Sequence, residues 1–507
     1  MLIPSFPLFG GRAGLPANDG RHDSYAFRDT DDTSLGKTVG TKLQGQAGES
    51  GFYLLPGGVD AFTARAALAW RAERSIDAQY YLLHDDLVGK LFLDMLLKAA
   101  NRGVRVRLLI DDMALDANKD AGAAAVNAHP NIEIRIFNPF GRGVSRWLQF
   151  LSRFGDVTRR MHNKSFTVDN QVTVIGGRNI GDEYFEANPD LIFGDLDVLG
   201  IGPVVDEVSS VFDLYWNSDS SYPVETLLKR NPGSERLAEA QQGLSDFTAR
   251  QQDTVFLESL TGSPLLELIR DWSFEFDWGH AEVLYDDPAK VTAARDQQHL
   301  LLTTRLQTYT AEIKTELLIF SPYFVPGAEG LETLTRLCER GLRVRVITNS
   351  LASTDVTVVH AGYARYRKRL LRAGVELYEL DKTLSRAKRR QKKGPGASSR
   401  ASLHAKSFVI DRQRLFIGSL NLDPRSMVEN TEIGIMIESP PMAKDLSAGF
   451  ERIAREASFR VDLEGNDLHW HRQTQGEKRV FTNEPHTGFW RRFAVGLQRL
   501  LPLESQL

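Results

Sequence analysis

The chain has 507 residues, 42% hydrophobic and 25% charged, with a formal net charge of −4. That length gives room for roughly two to four domains with sizeable cores, and the acidic balance argues against a nucleic-acid-binding protein. A lone cysteine, Cys338, excludes an intramolecular disulfide and a cysteine-based metal site, and no stretch approaches the roughly 18 to 20 uninterrupted apolar residues needed to span a bilayer.

Residues 1–47 begin Met1-Leu2-Ile3-Pro4, without the basic flank or long apolar core of a signal peptide. They continue rich in Gly, Asp, Ser and Thr and are expected to be poorly ordered or draped over the surface. From 48 to 222, strand and helix patterns alternate: an opening strand at Phe52-Tyr53-Leu54-Leu55, an apolar segment ending at Tyr81, and a strand after Arg102-Gly103 running to Ile110. Trp147-Leu148-Gln149-Phe150-Leu151, among Arg146, Arg153, Arg159 and Arg160, is apolar and basic enough to frame a lipid entrance. His162-Asn163-Lys164 follows, with Asp169 five residues after the lysine, in an alternating stretch that predicts a strand. His and Lys two residues apart then point to the same face. A second apolar strand leads to Gly176-Gly177-Arg178-Asn179, the asparagine 17 residues after His162.

Residues 223–278 read as helices connecting two halves, and residues 279–464 repeat the first pattern. Glu282-Val283-Leu284-Tyr285 answers the opening strand, Tyr323 answers Tyr81, and Arg340 to Ile347 answers the Arg102 strand at an offset of 238. Cys338, beside Leu334 and Leu337, reads as a small buried hydrophobe. A cationic loop carries Arg386, Lys388, Arg389, Arg390, Lys392 and Lys393 into the second motif; each basic residue near an anionic membrane is worth about 1 kcal/mol. Then come His404-Ala405-Lys406, Asp411, Ser419 and Asn421, with the spacings of the first motif. Residues 465–507 form a tail in which Phe489, Phe493, Leu497 and Leu500 share one helical face, with Trp490 at its margin and Arg491 and Arg492 elsewhere.

One such motif arises by chance in roughly a few chains per hundred of this length. Two in register inside a duplicated fold do not, and the repeat predicts two α/β units, each with helices covering a largely parallel sheet.

The strings Met161 to Asp169, Gly176 to Phe185 and Asn421-Leu422-Asp423-Pro424-Arg425-Ser426 resemble the phospholipase D superfamily, and within it the bacterial cardiolipin synthase C type. The resemblance spans about residues 48 to 465 and implies two α/β sandwich halves related by a pseudo-twofold axis, with the active site at their interface.

A phosphodiester repels nucleophiles, so its site must neutralise charge and supply both a nucleophile and a proton. Two histidines and two lysines suffice without metal or other cofactor: one neutral imidazole attacks phosphorus to give a phosphohistidine, and the other gives the leaving alkoxide its proton. Lys164 and Lys406 would hold the non-bridging oxygens, with Asn179, Asn421 and Ser419 donating further hydrogen bonds. Resemblance favours His162 as nucleophile and His404 as acid/base. It also implies that Glu432, 28 residues after His404, is a histidine-orienting acid, with Asp197 as its counterpart and Asp195 left open. Asp169 and Asp411 then close their strands. Where the second half has Ser419 the first has Gly177, so the halves cannot donate identically.

The motifs serve a phosphatidyl transferase, a phospholipase and a nuclease alike. Resemblance selects the transferase, with phosphatidylglycerol as acceptor and phosphatidylethanolamine as a candidate donor, at the membrane surface of a bacterial cell. An accessory protein stays open, and no nucleic acid is expected. The non-enzymatic alternative is an anionic-membrane-binding protein, disfavoured because both catalytic sets are complete.

Overall fold

The computed structural model describes residues 15–18, 20–114, 117–142, 158–188, 191–228, 233–382, 400–474 and 477–499. The first half contributes β1 (Ser50–Leu55), β2 (Ser75–Tyr80), β3 (Arg105–Asp111), β4 (Ile132–Phe137), β5 (Ser165–Val168), β6 (Val172–Gly176), β7 (Leu191–Gly194), β8 (Asp197–Ile201) and β9 (Ser221–Pro223). All but β7 pair in the spatial order β9-β4-β3-β2-β5-β6-β8-β1.

The second half repeats this with β10 (Asp277–Tyr285), β11 (Glu316–Phe320), β12 (Arg343–Asn349), β13 (Glu376–Leu380), β14 (Arg400–Leu403), β15 (Ser407–Ile410), β16 (Arg414–Gly418) and β17 (Ile433–Glu438). Their order is β13-β12-β11-β15-β16-β17-β10, with β14 outside. Strand β10 belongs to both sheets: Asp277 to Gly279 pair with β1, and His280 to Tyr285 pair with β17.

The expectation of a largely parallel sheet is corrected. Within the two large sheets only β2-β3-β4 and β11-β12-β13 run parallel, every other pairing there being antiparallel; apart from them, β7 and β14 form a two-stranded parallel pair. A parallel step needs a crossover, which helices Leu87–Asn101, Ala117–Asn127, Gly327–Glu339 and Thr357–Arg372 supply, whereas β5-β6 and β15-β16 are joined by tight turns that reverse the chain. Two further expectations change. Within residues 1–47, helix Ser34–Lys42 buries Leu35 and Val39 in the first core, and the Ala26 amide donates to Asp213. The tail beginning at 465 adds strands β19 (Asp467–Thr474) and β20 (Glu477–Phe481), which extend the second sheet beyond β18 (Ser458–Glu464).

Helices Gly233–Arg250, Val255–Thr261 and Pro264–Asp271 fill the stretch between the halves and pack on the first half. Cys338 is half-buried against the second core. A third apolar cluster joins the halves: Ile175 and Val198 with Ile417 and Ile435 from the two sheets, and Phe212 and Phe450 from helices Pro203–Trp216 and Pro440–Glu456. Arginines from equivalent strands pin these inner helices. Arg107 pairs with Asp77 at 2.7 Å and Asp213 at 2.8 Å; Arg345 pairs with Glu316 at 3.1 Å and Glu451 at 2.8 Å. No helix among the described residues is long and apolar enough to cross a membrane.

The aspartates closing the motifs begin type I′ turns, with φ of 51° and 50° at Asp169-Asn170 and 53° and 54° at Asp411-Arg412. The Asp169 carboxylate accepts from the amides of Glu73, Arg74 and Ser75; that of Asp411 accepts from Lys314, Thr315 and Glu316. Each fixes the entry of the neighbouring parallel strand. Losing those acceptors leaves amides unpaired, so Asp169→Ala should cost about 2–4 kcal/mol in denaturant unfolding. Asp411→Ala, at a more exposed turn, should cost less.

Candidate active site

His162 lies just before β5 and His404 just after β14, and each segment is tied by its backbone to the opposite half. The His162 amide donates to Thr431 O at 2.8 Å and the Thr431 amide to Arg160 O at 2.9 Å. Likewise β14 pairs in parallel with β7, and the His404 amide donates to Gly194 O at 2.7 Å. The residues following those acceptors are Glu432 and Asp195.

The acids are therefore exchanged. His162 Nδ1 lies 2.8 Å from Glu432 Oε2, and His404 Nδ1 lies 2.5 Å from Asp195 Oδ2, in each case across the halves. The expectation of Asp197 is corrected by register: Gly418 pairs with Gly434 in one sheet and Gly176 with Asp197 in the other, so Glu432 and Asp195 both stand two residues before the paired position. Asp197 instead pairs with Arg65 at 2.9 Å and Arg178 at 3.4 Å, inside the first half.

His162, His404, Glu432, Asp195, Lys164 and Lys406 are all buried, and they shift one another. Burial pushes His162 well below the ordinary imidazole value, and Lys164, Lys406 and His404 add to this. Burial lowers His404 too, helped by Lys406 but opposed by Asp195. Burial pushes Glu432 up to about 7 despite Lys164 and the Ser419 hydroxyl. Burial would raise Asp195 as well, but His404 and Lys406 hold it well below the ordinary carboxyl range. Burial takes Lys164 well down and Lys406 down to about 8. Lys164 Nζ donates to His162 O, while Lys406 Nζ lies 2.8 and 3.0 Å from the His404 ring nitrogens and donates to His404 O at 2.6 Å. A tyrosine ring stands edge-on to each imidazole, Tyr81 at 5.0 Å from His162 and Tyr184 at 5.1 Å from His404.

The remaining expected donors are differently engaged. Ser419 gives its hydroxyl to Glu432 and accepts from the Ile433 amide. Asn179 Nδ2 donates to the Tyr184 hydroxyl at 2.9 Å, and its Oδ1 accepts from the Leu82 amide. Asn421 is buried with no partner for Oδ1 among the described residues. Residues 143–157 and the loop with Arg386, Lys388, Arg389, Arg390, Lys392 and Lys393 lie outside the described residues. Arg159 and Arg160 do not frame an entrance: they are buried against Glu429 and Asp111. Arg491 turns inward to Thr354 O, and Arg492 caps Thr487 O, while Trp490 is exposed. His84, Asp86 and Glu183 converge as metal-type ligands do, but Asp86 already caps helix Leu87–Asn101 and His84 lies 3.3 Å from Glu183.

Sequence reasoning assigned no role to Tyr81, Tyr184 or Arg178, although all three occur in the strings that carried the repeat. Arg178 donates to the carbonyls of Leu55, Pro56 and Asp195, which fixes the Asp195 segment.

A family model described as "Cardiolipin synthase, PLD-like domain" matches residues 67–216 and 309–454, one segment in each half. Cardiolipin synthase C of Escherichia coli (strain K12) is 41% identical over 460 residues, covering 90% of this chain and 96% of that protein. An uncharacterized protein of Helicobacter pylori (strain J99) is 31% identical over 505 residues, covering 99% of this chain and 98% of its own. Among solved structures, phosphatidylserine synthase of Haemophilus influenzae Rd KW20 shares the fold, with a TM-score of 0.56 at 12% identity over 91% of this chain and 96% of that one.

The exchanged pairs separate two neighbouring aspartates. Asp195→Asn should lower turnover of a soluble phosphodiester by about 10³-fold with little change in melting temperature. Asp197→Asn, which removes the buried countercharge of Arg65, should lower melting temperature more than it lowers turnover.

Proposed function

The chain belongs to the cardiolipin synthase, phospholipase D-like family, and from that premise we propose that it makes cardiolipin by passing a phosphatidyl group to the glycerol hydroxyl of phosphatidylglycerol. It is a phospholipase D-type phosphatidyltransferase. The observation that carries the proposed mechanism is the pair of imidazoles, each held through Nδ1 by a carboxylate of the other half. With Nδ1 of each ring taken by a carboxylate, Nε2 is the nitrogen that would meet phosphorus in this mechanism, that of His404 beside Lys406 Nζ at 3.0 Å.

In this scheme His162 Nε2 attacks phosphorus, the N–P bond forms, the P–O bond to the departing alcohol breaks, and protonated His404 gives that oxygen its proton. The acceptor hydroxyl then yields its proton to His404 and attacks phosphorus, and the N–P bond breaks. The charges favour this division: His162 is kept neutral by burial and surrounding cations, whereas Asp195 works to keep a proton on His404. An entering phosphodiester anion acts in the same direction as Asp195, and it also restores charge to Lys164 and Lys406. Asn421 Oδ1, an acceptor, is suited to an incoming hydroxyl rather than to a phosphate oxygen. Both substrates reside in a bilayer, so this function places the protein at a membrane surface, with phosphatidylethanolamine as the candidate donor to test.

Purified protein with phosphatidylglycerol liposomes, with and without phosphatidylethanolamine, should yield cardiolipin by mass spectrometry, and His162→Ala should abolish it. Phosphatidic acid as the sole product would make the protein a hydrolase instead. His404 must be protonated and Lys406 charged, so log(kcat/KM) should fall on the alkaline side of the His404 titration and steepen above pH about 8; Lys406→Arg, which does not titrate there, should remove the second component and leave the first. His162 must be neutral, so the acid limb should lie below pH 6.5.

A further inference from the structure

Helix Phe489–Gln498 is held to the second half by one face only. Val495, 5% exposed, packs on Leu351 and Ala361, and Arg491 Nη2 donates to Thr354 O at 3.2 Å. The opposite face leaves Phe489 63%, Trp490 77%, Phe493 57% and Leu497 57% exposed. The three aromatic rings touch one another, with Phe489 stacked on Phe493 at 6.2 Å and Trp490 edge-on to Phe489 at 5.4 Å. A contiguous aromatic cluster facing water is costly unless something covers it.

The surroundings are cationic. The 19 residues between Glu484 and Glu504 contain three arginines and no acid. The supporting helix, Thr357–Arg372, contains Arg365, Arg367, Lys368, Arg369 and Arg372 and no acid; Arg367 is neutralised inside by Glu379 and Glu484, whereas Arg369 and Arg372 are exposed. The segment on which the helix rests connects to the histidines through a short chain of contacts. Thr354 precedes Asp355, which accepts from the Tyr323 hydroxyl at 2.7 Å and acts on Lys406 and Tyr184. Asn349, at the end of β12, clamps both the amide and the carbonyl of Leu403, next to His404.

We propose that Phe489, Trp490, Phe493 and Leu497 form an interfacial docking face that seats the protein on an anionic phospholipid bilayer beside the mouth of the active site. An aromatic face on an acid-free helix, supported by a second helix with exposed arginines and no acid, matches a lipid headgroup boundary, where rings enter the acyl edge and arginines meet phosphates, with Asp355 the exposed acid next to the contact at Thr354. This inference rests on the proposed lipid chemistry for its occupant, because an enzyme that draws phosphodiesters from a bilayer must meet that bilayer at its active-site mouth.

The test is flotation of the full chain with vesicles of equal parts phosphatidylcholine and phosphatidylglycerol, against vesicles of phosphatidylcholine alone. Wild type should float with the anionic vesicles, and Phe489→Ser/Phe493→Ser/Leu497→Ser should bind about tenfold or more weakly. Trp490 serves as the reporter: brominated lipid should quench a component of the emission that Trp490→Phe lacks. Because the substituted side chains face outward, turnover of a short-chain, water-soluble phosphatidylglycerol should stay within about twofold while turnover of vesicles falls. Equal flotation of variant and wild type would overturn the proposal, as would failure of wild type to float. A change in oligomeric state with unchanged flotation would also overturn it and assign the face to contacts between copies. Vesicle binding through this face without any lipid product would sustain the docking proposal and defeat the proposed reaction.

Discussion

Neither half of this protein holds its own histidine. Glu432 takes His162 and Asp195 takes His404, each across the interface, and the backbones beside them are hydrogen-bonded across it as well. A buried imidazole and carboxylate are expensive to desolvate unless paired with good geometry, so closing the two halves on one another is a condition for either site to exist. The shared apolar cluster of both sheets and the inner helices provides the free energy for that closure. Inside the site two lysines lie near two carboxylates, and burial lowers both lysines against the opposing pull of Glu432 and Asp195.

The duplication is not a mirror, and small side chains set the difference. Gly177 leaves room for Asp195, since a β-carbon there would lie 2.3 Å from its Oδ1. The equivalent Ser419 fits because Glu432, one methylene longer, accepts the serine hydroxyl while still reaching His162. The two acids are also charged differently: burial raises Glu432 to about 7 against the pull of Lys164 and Ser419, whereas His404 and Lys406 hold Asp195 well below the ordinary carboxyl range. Two copies of one fold thus present electrostatically distinct imidazoles: Asp195 opposes the lowering of His404, while Lys164, Lys406 and His404 add to the lowering of His162.

Precision at the site comes from rigid elements around it. The turn aspartates, Asp169 and Asp411, tie each motif hairpin to the start of its neighbouring strand, and the buried Arg107 and Arg345 tie the sheets to the inner helices. The histidine segments end up between a fixed hairpin on their own side and a fixed acid on the other, with Tyr81 and Tyr184 limiting ring rotation. Such support holds reacting groups within the narrow tolerance that in-line transfer needs.

Local pattern alone determined a good deal. Period-two alternation put His and Lys on one face of a strand, equal spacings revealed the duplication, and the motif strings identified the family. Each of these is encoded within a few residues of itself. What only the tertiary structure decided is how segments far apart in the chain meet. Asp195 and Asp197 are indistinguishable by spacing, and only strand register sends one to His404 and the other to Arg65. The mixed sheet direction depended on which connections are crossovers, and the outward turn of Phe489 and Trp490 on which helical face Val495 could bury. The partners lie 209 and 270 residues apart for the two histidine pairs. No local propensity carries that information; it arises only when two sheets close on a common core.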